Sequence, residues 1–502
     1  MSERDYIPLM FQAQIMGRSQ IQKLEYLKKT GKPRQQAYDW VEQWQKACNI
    51  KHIPTFNKPI ATQEYTFTWR MVTNSGQDGG VIRPVIGKRG WPYFPGSSMK
   101  GAFRRACTSV AEKLRYCGGT KDDELHPGIL RFHGGYPKNA EWLDSSLVDV
   151  VHPQENWQFK DQSRHSALIQ ISLYQPTFVF GISCTELLAG DPEWTRIWEI
   201  WQTALERGIG SRVSAGYGQI KTHKTNRLLA IGLQGQGLTS KLINEVGEFR
   251  PNIFKAALRS HTRRLFNGIT DAETAERLTK QFWGGFQGKK AIVGLLGIAF
   301  TAPDLDDEEI YIYRDQINTR EMPVYETGDS WLNLLIMRKI SEGDRKNLRI
   351  WAIQLVKFAM LLGGFGKSWR RVDHRLFSHA TEFRGYLTNW QQQNINPMIG
   401  CHWQFTESSK PLYVRVENLA DITKFLDHLQ KNTKKLIEKK YLNFLKQSNY
   451  PINPPTDHIR EAWRKSNVEV WGRIAKSATD CHAIAWFHRA YQGEKSIKAS
   501  EL

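Results

Sequence analysis

Two unrelated short motifs each occur twice in this chain, and the spacing between them is nearly the same both times. Residues 92–105 read PYFPGSSMKGAFRR and residues 250–264 read RPNIFKAALRSHTRR, so that Lys100 set on Lys255 aligns KGAFR with KAALR. A glycine-rich stretch follows each one: GIGSRVSAGYG opens at Gly208 and GFGKSWRRVDH at Gly364. Lys100 precedes Gly208 by 108 residues, and Lys255 precedes Gly364 by 109. Agreement of this kind argues for an internal duplication and makes the repeat the unit of folding. At 502 residues the chain also exceeds the ~250–300 at which a single core stops growing.

Each repeat has the same coarse pattern. A strand-like segment (65–72; 228–233) leads to a lysine-bearing helix (99–115; 254–266). Further β-branched and aromatic runs follow, such as 167–184, and then an amphipathic helix (194–207; 348–362) that ends in the glycine-rich loop. This order predicts an α+β fold of two tandem ferredoxin-like (RRM-like) repeats. The expected boundaries are an N-terminal extension over 1–60, repeats over 61–225 and 226–390, and a helical C-terminal extension over 391–502 packed on the repeats. Residues 118–166 and 303–330 read as long insertions. Residues 35–47 and a basic stretch around 431–446 read as accessory helices.

Seventy Lys plus Arg against 50 Asp plus Glu leave a net charge of +20. Such an excess favours a polyanion, because phosphate contacts release condensed counterions. Eighteen Trp, 17 Tyr and 23 Phe suit the stacking of unpaired bases better than the reading of a duplex. Cys48, Cys107, Cys117, Cys184, Cys401 and Cys481 form no Cys-x-x-Cys pair and read as reduced thiols. The start MSERDYIPLM lacks a signal-peptide pattern, and the longest apolar stretch, 291–300, is too short for a bilayer. A cytoplasmic location without membrane partners is expected.

Pro95, Gly96, Ser97 and Ser98 at a helix start would present hydroxyls and unpaired N–H groups to a phosphate, with Lys100 and Arg104 extending that grip along one face. The plainer reading is an N-cap with solvated cations. The loop holding Gly208, Gly210 and Arg212, and its counterpart holding Gly364, Gly366, Lys367 and Arg370, could line an anion site with backbone N–H groups. Neither loop is a P-loop, since no Gly-Lys-Ser/Thr ends it, nor a dinucleotide fingerprint, since it follows a helix. Arg259 repeats Arg104.

The PGSSMKGAFRR stretch, the GIGSRVSAGYGQI loop and the upstream Asp78-Gly79-Gly80-Val81-Ile82-Arg83 together resemble the RAMP superfamily of CRISPR proteins, in particular the Cas-seven-type backbone subunits of type III effector complexes. Two repeats in one chain are similar to the double subunit of subtype III-D. The resemblance covers about 60–225 and, more weakly, 226–378. It implies binding of guide RNA (crRNA) and complementary target RNA alongside other CRISPR effector subunits. It also implies endoribonuclease cleavage of the target by Asp78, with a divalent metal such as Mg2+, and a contact from Arg83. A carboxylate there could take the 2′-hydroxyl proton or hold the metal; equally, Asp before Gly-Gly is a good turn residue. The second repeat departs from the pattern: it has no Asp between 226 and 270, only Glu245 and Glu248. A non-catalytic scaffold and a guide-processing endoribonuclease are the alternatives. A metabolic enzyme lacks any cofactor motif.

Overall fold

The computed structural model describes residues 33–73, 76–78, 81–121, 123–151, 168–242, 244, 246–287, 290–307, 310–314, 319–361, 364–366 and 402–438. Among the described residues, helices and mostly antiparallel sheets pack around two large hydrophobic cores and a small third cluster of Trp69, Val72, Ile82 and Tyr217, and the fold is α+β. Among the described residues no helix is long and apolar enough to cross a membrane.

The first unit opens with α1 (Pro33–Ala47) and β1 (Ala61–Thr66). A hairpin of β2 (Gly76–Asp78) and β3 (Val81–Arg83) precedes α2 (Gly96–Ala106). Next come β4 (Gly118–Lys121), β5 (Glu124–Pro127), β6 (Leu130–Pro137), β7 (Val148–Val151), β8 (Leu168–Ile171), β9 (Thr177–Cys184) and α3 (Glu193–Glu206). The main sheet runs β6-β9-β1, and Phe67 just beyond β1 bridges Ile220 after α3. Alternation along β9 puts Phe178, Phe180 and Ile182 into the core, where Phe180 meets Trp201 of α3 with ring centroids 5.0 Å apart. Helix α2 buries Met99, Ala102, Phe103 and Ala106 against the same core. A second sheet, β2-β3-β8-β7, includes the only parallel pairing between named strands among the described residues, β3 with β8.

The second unit contains β10 (Arg227–Leu238), β11 (Ser240–Lys241), β12 (Gly247–Glu248), α4 (Asn252–Asn267) and α5 (Ala272–Trp283). A hairpin of β13 (Gly285–Gln287) and β14 (Lys290–Ile292) leads to β15 (Leu296–Thr301), β16 (Ile310–Arg314), β17 (Thr319–Ile336) and α6 (Glu342–Leu361). Then come β18 (His402–Phe405) and α7 (Leu419–Glu438). The sheet runs β15-β17-β10-β18. Setting aside β16, which pairs with β17 off this path, and counting the remaining strands in chain order, each unit has the spatial order second, third, first, fourth, with the fourth reduced to a single bridge in the first unit.

Several expectations from sequence change here. The helix expected over 99–115 stops at Ala106, because Cys107 turns extended and a Ser109–Glu112 capping box restarts the chain. The strand run expected over 167–184 splits into β8 and β9, which belong to different sheets, around Gln175 (φ +39) and Pro176. Residues 118–166 are not wholly an insertion, since β6 is a strand of the main sheet. Its Gly134 takes φ +79 at a register shift, and a Cβ on Gly135 would strike the Phe180 ring. Likewise, the 303–330 stretch runs straight into β17. The fourth strand of the second sheet lies at 402–405, within the stretch assigned to the C-terminal extension.

Candidate nucleic-acid interface

The glycine-rich loop after α3 owes its glycines to close packing. Gly210 has φ +84, and a Cβ there would lie 2.1 Å from the Val72 carbonyl oxygen; Gly218 has φ +59 and crowds Ile209 in the same way. The N–H groups of Gly208, Ile209, Ser211, Ala215, Gly216 and Gly218 donate to carbonyls within the protein. Backbone N–H groups at those positions are thus already used, and an anion held here would depend mainly on side chains.

Those side chains come from both units. Arg212 has φ +57 and its Nε donates to Gln170 of β8 at 3.1 Å. Ser214 accepts from Lys255 Nζ of α4 at 2.6 Å, while Ala215 bridges Ile298 of β15. Burial, with Arg259 and Arg212 adding repulsion, pushes the Lys255 amine down to about 7. Arg259 lies 3.7 Å from Glu276 on α5. The structure therefore joins the loop of the first unit to the helix of the second, two elements that the sequence reading had placed in separate repeats.

The loop also rests on the segment leading to Asp78. Ser211 donates to Val72 O at 3.2 Å and Gly218 to Arg70 O at 2.8 Å. Asp78 ends β2 opposite Val81, and Val81 pairs with Ile169 beside Gln170. Backbone pairing thus sets the Asp78 hairpin in the same sheet that receives Arg212. Half-buried Arg83 closes β3 opposite Gly76.

The other predicted residues lie along α2. A Cβ on Gly96 would come within 2.1 Å of Phe132 O, so this helix start needs glycine for its approach to β6. Ser97, Ser98 and Lys100 are exposed, and Arg104 donates to Gly118 O at 2.5 Å. In the second loop Gly364 and Gly366 have φ +83 and +118, and Phe365 between them packs on Phe254 of α4, centroids 5.0 Å apart. Lys367 and Arg370 lie outside the described residues.

Sequence reasoning missed a buried ionic seam between the units. Arg70 Nε donates to Glu248 Oε1 at 2.7 Å, and Trp69 Nε1 donates to the same oxygen at 3.2 Å. Arg250 pairs with Asp149, whose other oxygen accepts from Tyr217 at 2.7 Å and Gln170 at 3.1 Å. Glu248, considered from sequence as a stand-in for Asp78, is instead consumed in this seam; Glu245 lies outside the described residues. The signal that could have found the seam is a lone charge in an apolar strand, as in TFTWRMV and SLVDVV. Such charges are almost never fully buried unless paired.

Among the described residues no group of three His, Cys, Asp or Glu is placed to hold a metal ion. No family model matches the sequence, and no curated protein does. A chain in a solved type III-B Cmr-beta complex bound to cognate target RNA is 22% identical, with a TM-score of 0.26 over 32% of this chain and 57% of that one. A chain of a type IV-B CRISPR complex is 17% identical, with a TM-score of 0.24 over 32% of this chain and 87% of that one.

Proposed function

We propose that this chain is a backbone subunit of a CRISPR effector complex, built from two tandem ferredoxin-like RAMP units, that binds guide RNA and cleaves the paired target through Asp78. The observation that carries the reading is the convergence of three motifs. The glycine-rich loop packs on the segment entering the Asp78 hairpin, and the same loop reaches the lysine helix of the other unit. A +20 chain with that arrangement suits a phosphodiester backbone. The two-unit form is in keeping with the double subunit of subtype III-D.

In the cleavage step the 2′-oxygen would attack the adjacent phosphorus and the 5′-oxygen would leave. Asp78 would take the 2′-proton or hold a divalent ion. One carboxylate suits Mg2+ that keeps much of its water and shares a phosphate, rather than an all-protein cage. In the test, the complex is assembled with guide RNA and its other subunits and given target RNA. Asp78→Ala is expected to abolish the cut opposite the first unit while guide and target still bind. A target with one deoxynucleotide at that site is expected to bind and resist. Persistence of the cut in Asp78→Ala removes the catalytic assignment.

A non-catalytic scaffold is the second reading, favoured by one observation: Asp78 stands at a hairpin end just before Gly79-Gly80, where Asp suits a tight turn. Unchanged cleavage in Asp78→Asn supports it.

A further inference from the structure

Cys107 and Cys117 stand ten residues apart, at the two ends of the irregular stretch that follows α2. Cys107 ends α2, its N–H donating to Phe103 O at 3.1 Å, and Cys117 closes one π-helical turn, Lys113–Cys117. Both are buried in the core of the first unit, 6% and 3% exposed. Their flanking residues are clamped together: the Phe103 and Tyr116 rings meet edge-on, centroids 6.0 Å apart, and Arg104 donates to Gly118 O at 2.5 Å. The Cys107 thiol thereby has two acceptors in reach, Phe103 O at 3.4 Å and the Cys117 sulfur. We propose that Cys107 and Cys117 are a dithiol site that closes reversibly to a disulfide on meeting a peroxide. Nothing in this depends on RNA binding.

The two sulfurs are not equivalent. The hydrogen bond from Cys107 stabilises the Cys117 thiolate, and Lys100 and Arg104 on α2 add to it, so the Cys117 thiol is lowered in spite of burial. The same hydrogen bond, together with burial, raises Cys107. This division suits one attacking and one resolving sulfur. The Cys117 thiolate would attack one oxygen of hydrogen peroxide, breaking the O–O bond and releasing hydroxide to leave a sulfenic acid. Cys107 would then attack that sulfur and displace the second hydroxide. The two thiol protons turn the two hydroxides into water, so one peroxide and two thiols give one disulfide and two waters. Two molecules of a thiol such as glutathione reverse the bond by exchange. Once closed, the bond would tie the end of the helix carrying Lys100 and Arg104 to the start of β4.

The other described cysteines provide the contrast. Cys48 is buried, and burial pushes its thiol up to about 11, while half-buried Cys184 accepts the Glu186 N–H at 3.4 Å. A buried cysteine of that kind is a small apolar side chain that reacts slowly. If the pair were no more than core packing, it would behave like Cys48.

The full chain, reduced and freed of reductant, would be treated with one equivalent of hydrogen peroxide, alkylated in denaturant and digested with trypsin. Mass spectrometry is expected to find peptides 106–113 and 116–121 joined, with the loss of two hydrogens. Both should become alkylatable again after glutathione. The pair should escape alkylation at least about tenfold faster than Cys48 does. In Cys107→Ser, Cys117 is expected to stop at the sulfenic acid and be trapped by dimedone. A pair still fully reduced when Cys48 has been oxidised overturns the proposal. So does Cys117 carried to sulfinic acid while Cys107 remains a free thiol. These readings come from the unaltered chain, so they hold if Cys107→Ser misfolds.

Discussion

Lys100 of α2 and Lys255 of α4 occupy matching positions, four residues before Arg104 and Arg259. Inward, the two helices present equivalent faces: Met99, Ala102 and Phe103 are buried in one, Phe254, Ala257 and Leu258 in the other. Outward they diverge. Lys100 stands in solvent, whereas Lys255 is tucked under a loop belonging to the other unit. A duplicated motif preserves what its own sheet demands of it, and the neighbour on the polar side decides what the lysine can do. In the second unit the glycine loop packs Phe365 onto its own helix, while the first unit's loop crosses the junction.

The ionic seam is where this comparison breaks most easily, because it fixes which loop faces which helix. Glu248→Ala would leave Arg70 buried and unpaired, and a loss of about 3–5 kcal/mol is expected in chemical denaturation. The exposed pair of Lys138 and Glu64, 2.7 Å apart, is the control: Glu64→Ala should cost no more than about 1 kcal/mol. Equal effects from the two changes would mean that the units dock without the seam.

A smaller effect separates the two helix starts. Counting back from the shared lysine, Gly96 faces Phe132 O at the distance given above, while the second unit carries Pro251 at that place. Gly96→Ala should therefore destabilise by about 1–3 kcal/mol through overpacking against β6. Gly101→Ala, on the same helix with only the flexible end of Arg105 nearby, should stabilise by about 0.5–1 kcal/mol. Thermal denaturation of the two variants should move the midpoint in opposite directions.

What sequence made legible follows the same division. Helices α3 and α4 were readable to within a residue or two because their apolar spacing is set by one sheet and by nothing distant. Strand β6 was hidden by Gly134, Gly135 and Pro137, residues that mark a loop unless a partner strand is known to demand them. Strand β18 was hidden by distance, since 35 residues separate it from Gly366. At the candidate site, sequence identified Arg212, Lys255 and Arg259 but assigned them by repeat. Their convergence depends on how the units dock, and the seam residues responsible, Arg70, Asp149 and Arg250, follow no repeat pattern.

The smallest expected change is also the sharpest discriminator between the two lysines. Lys100 is exposed, and among the described residues it has no hydrogen bond or ion pair, so Lys100→Ala should leave stability within about 0.5 kcal/mol. If Lys100 touches a phosphate, its loss should weaken RNA binding alike for all guide sequences and reduce the slope of log affinity against log salt by about 1. A Lys100→Ala variant with an unchanged salt slope would place the first helix off the RNA path.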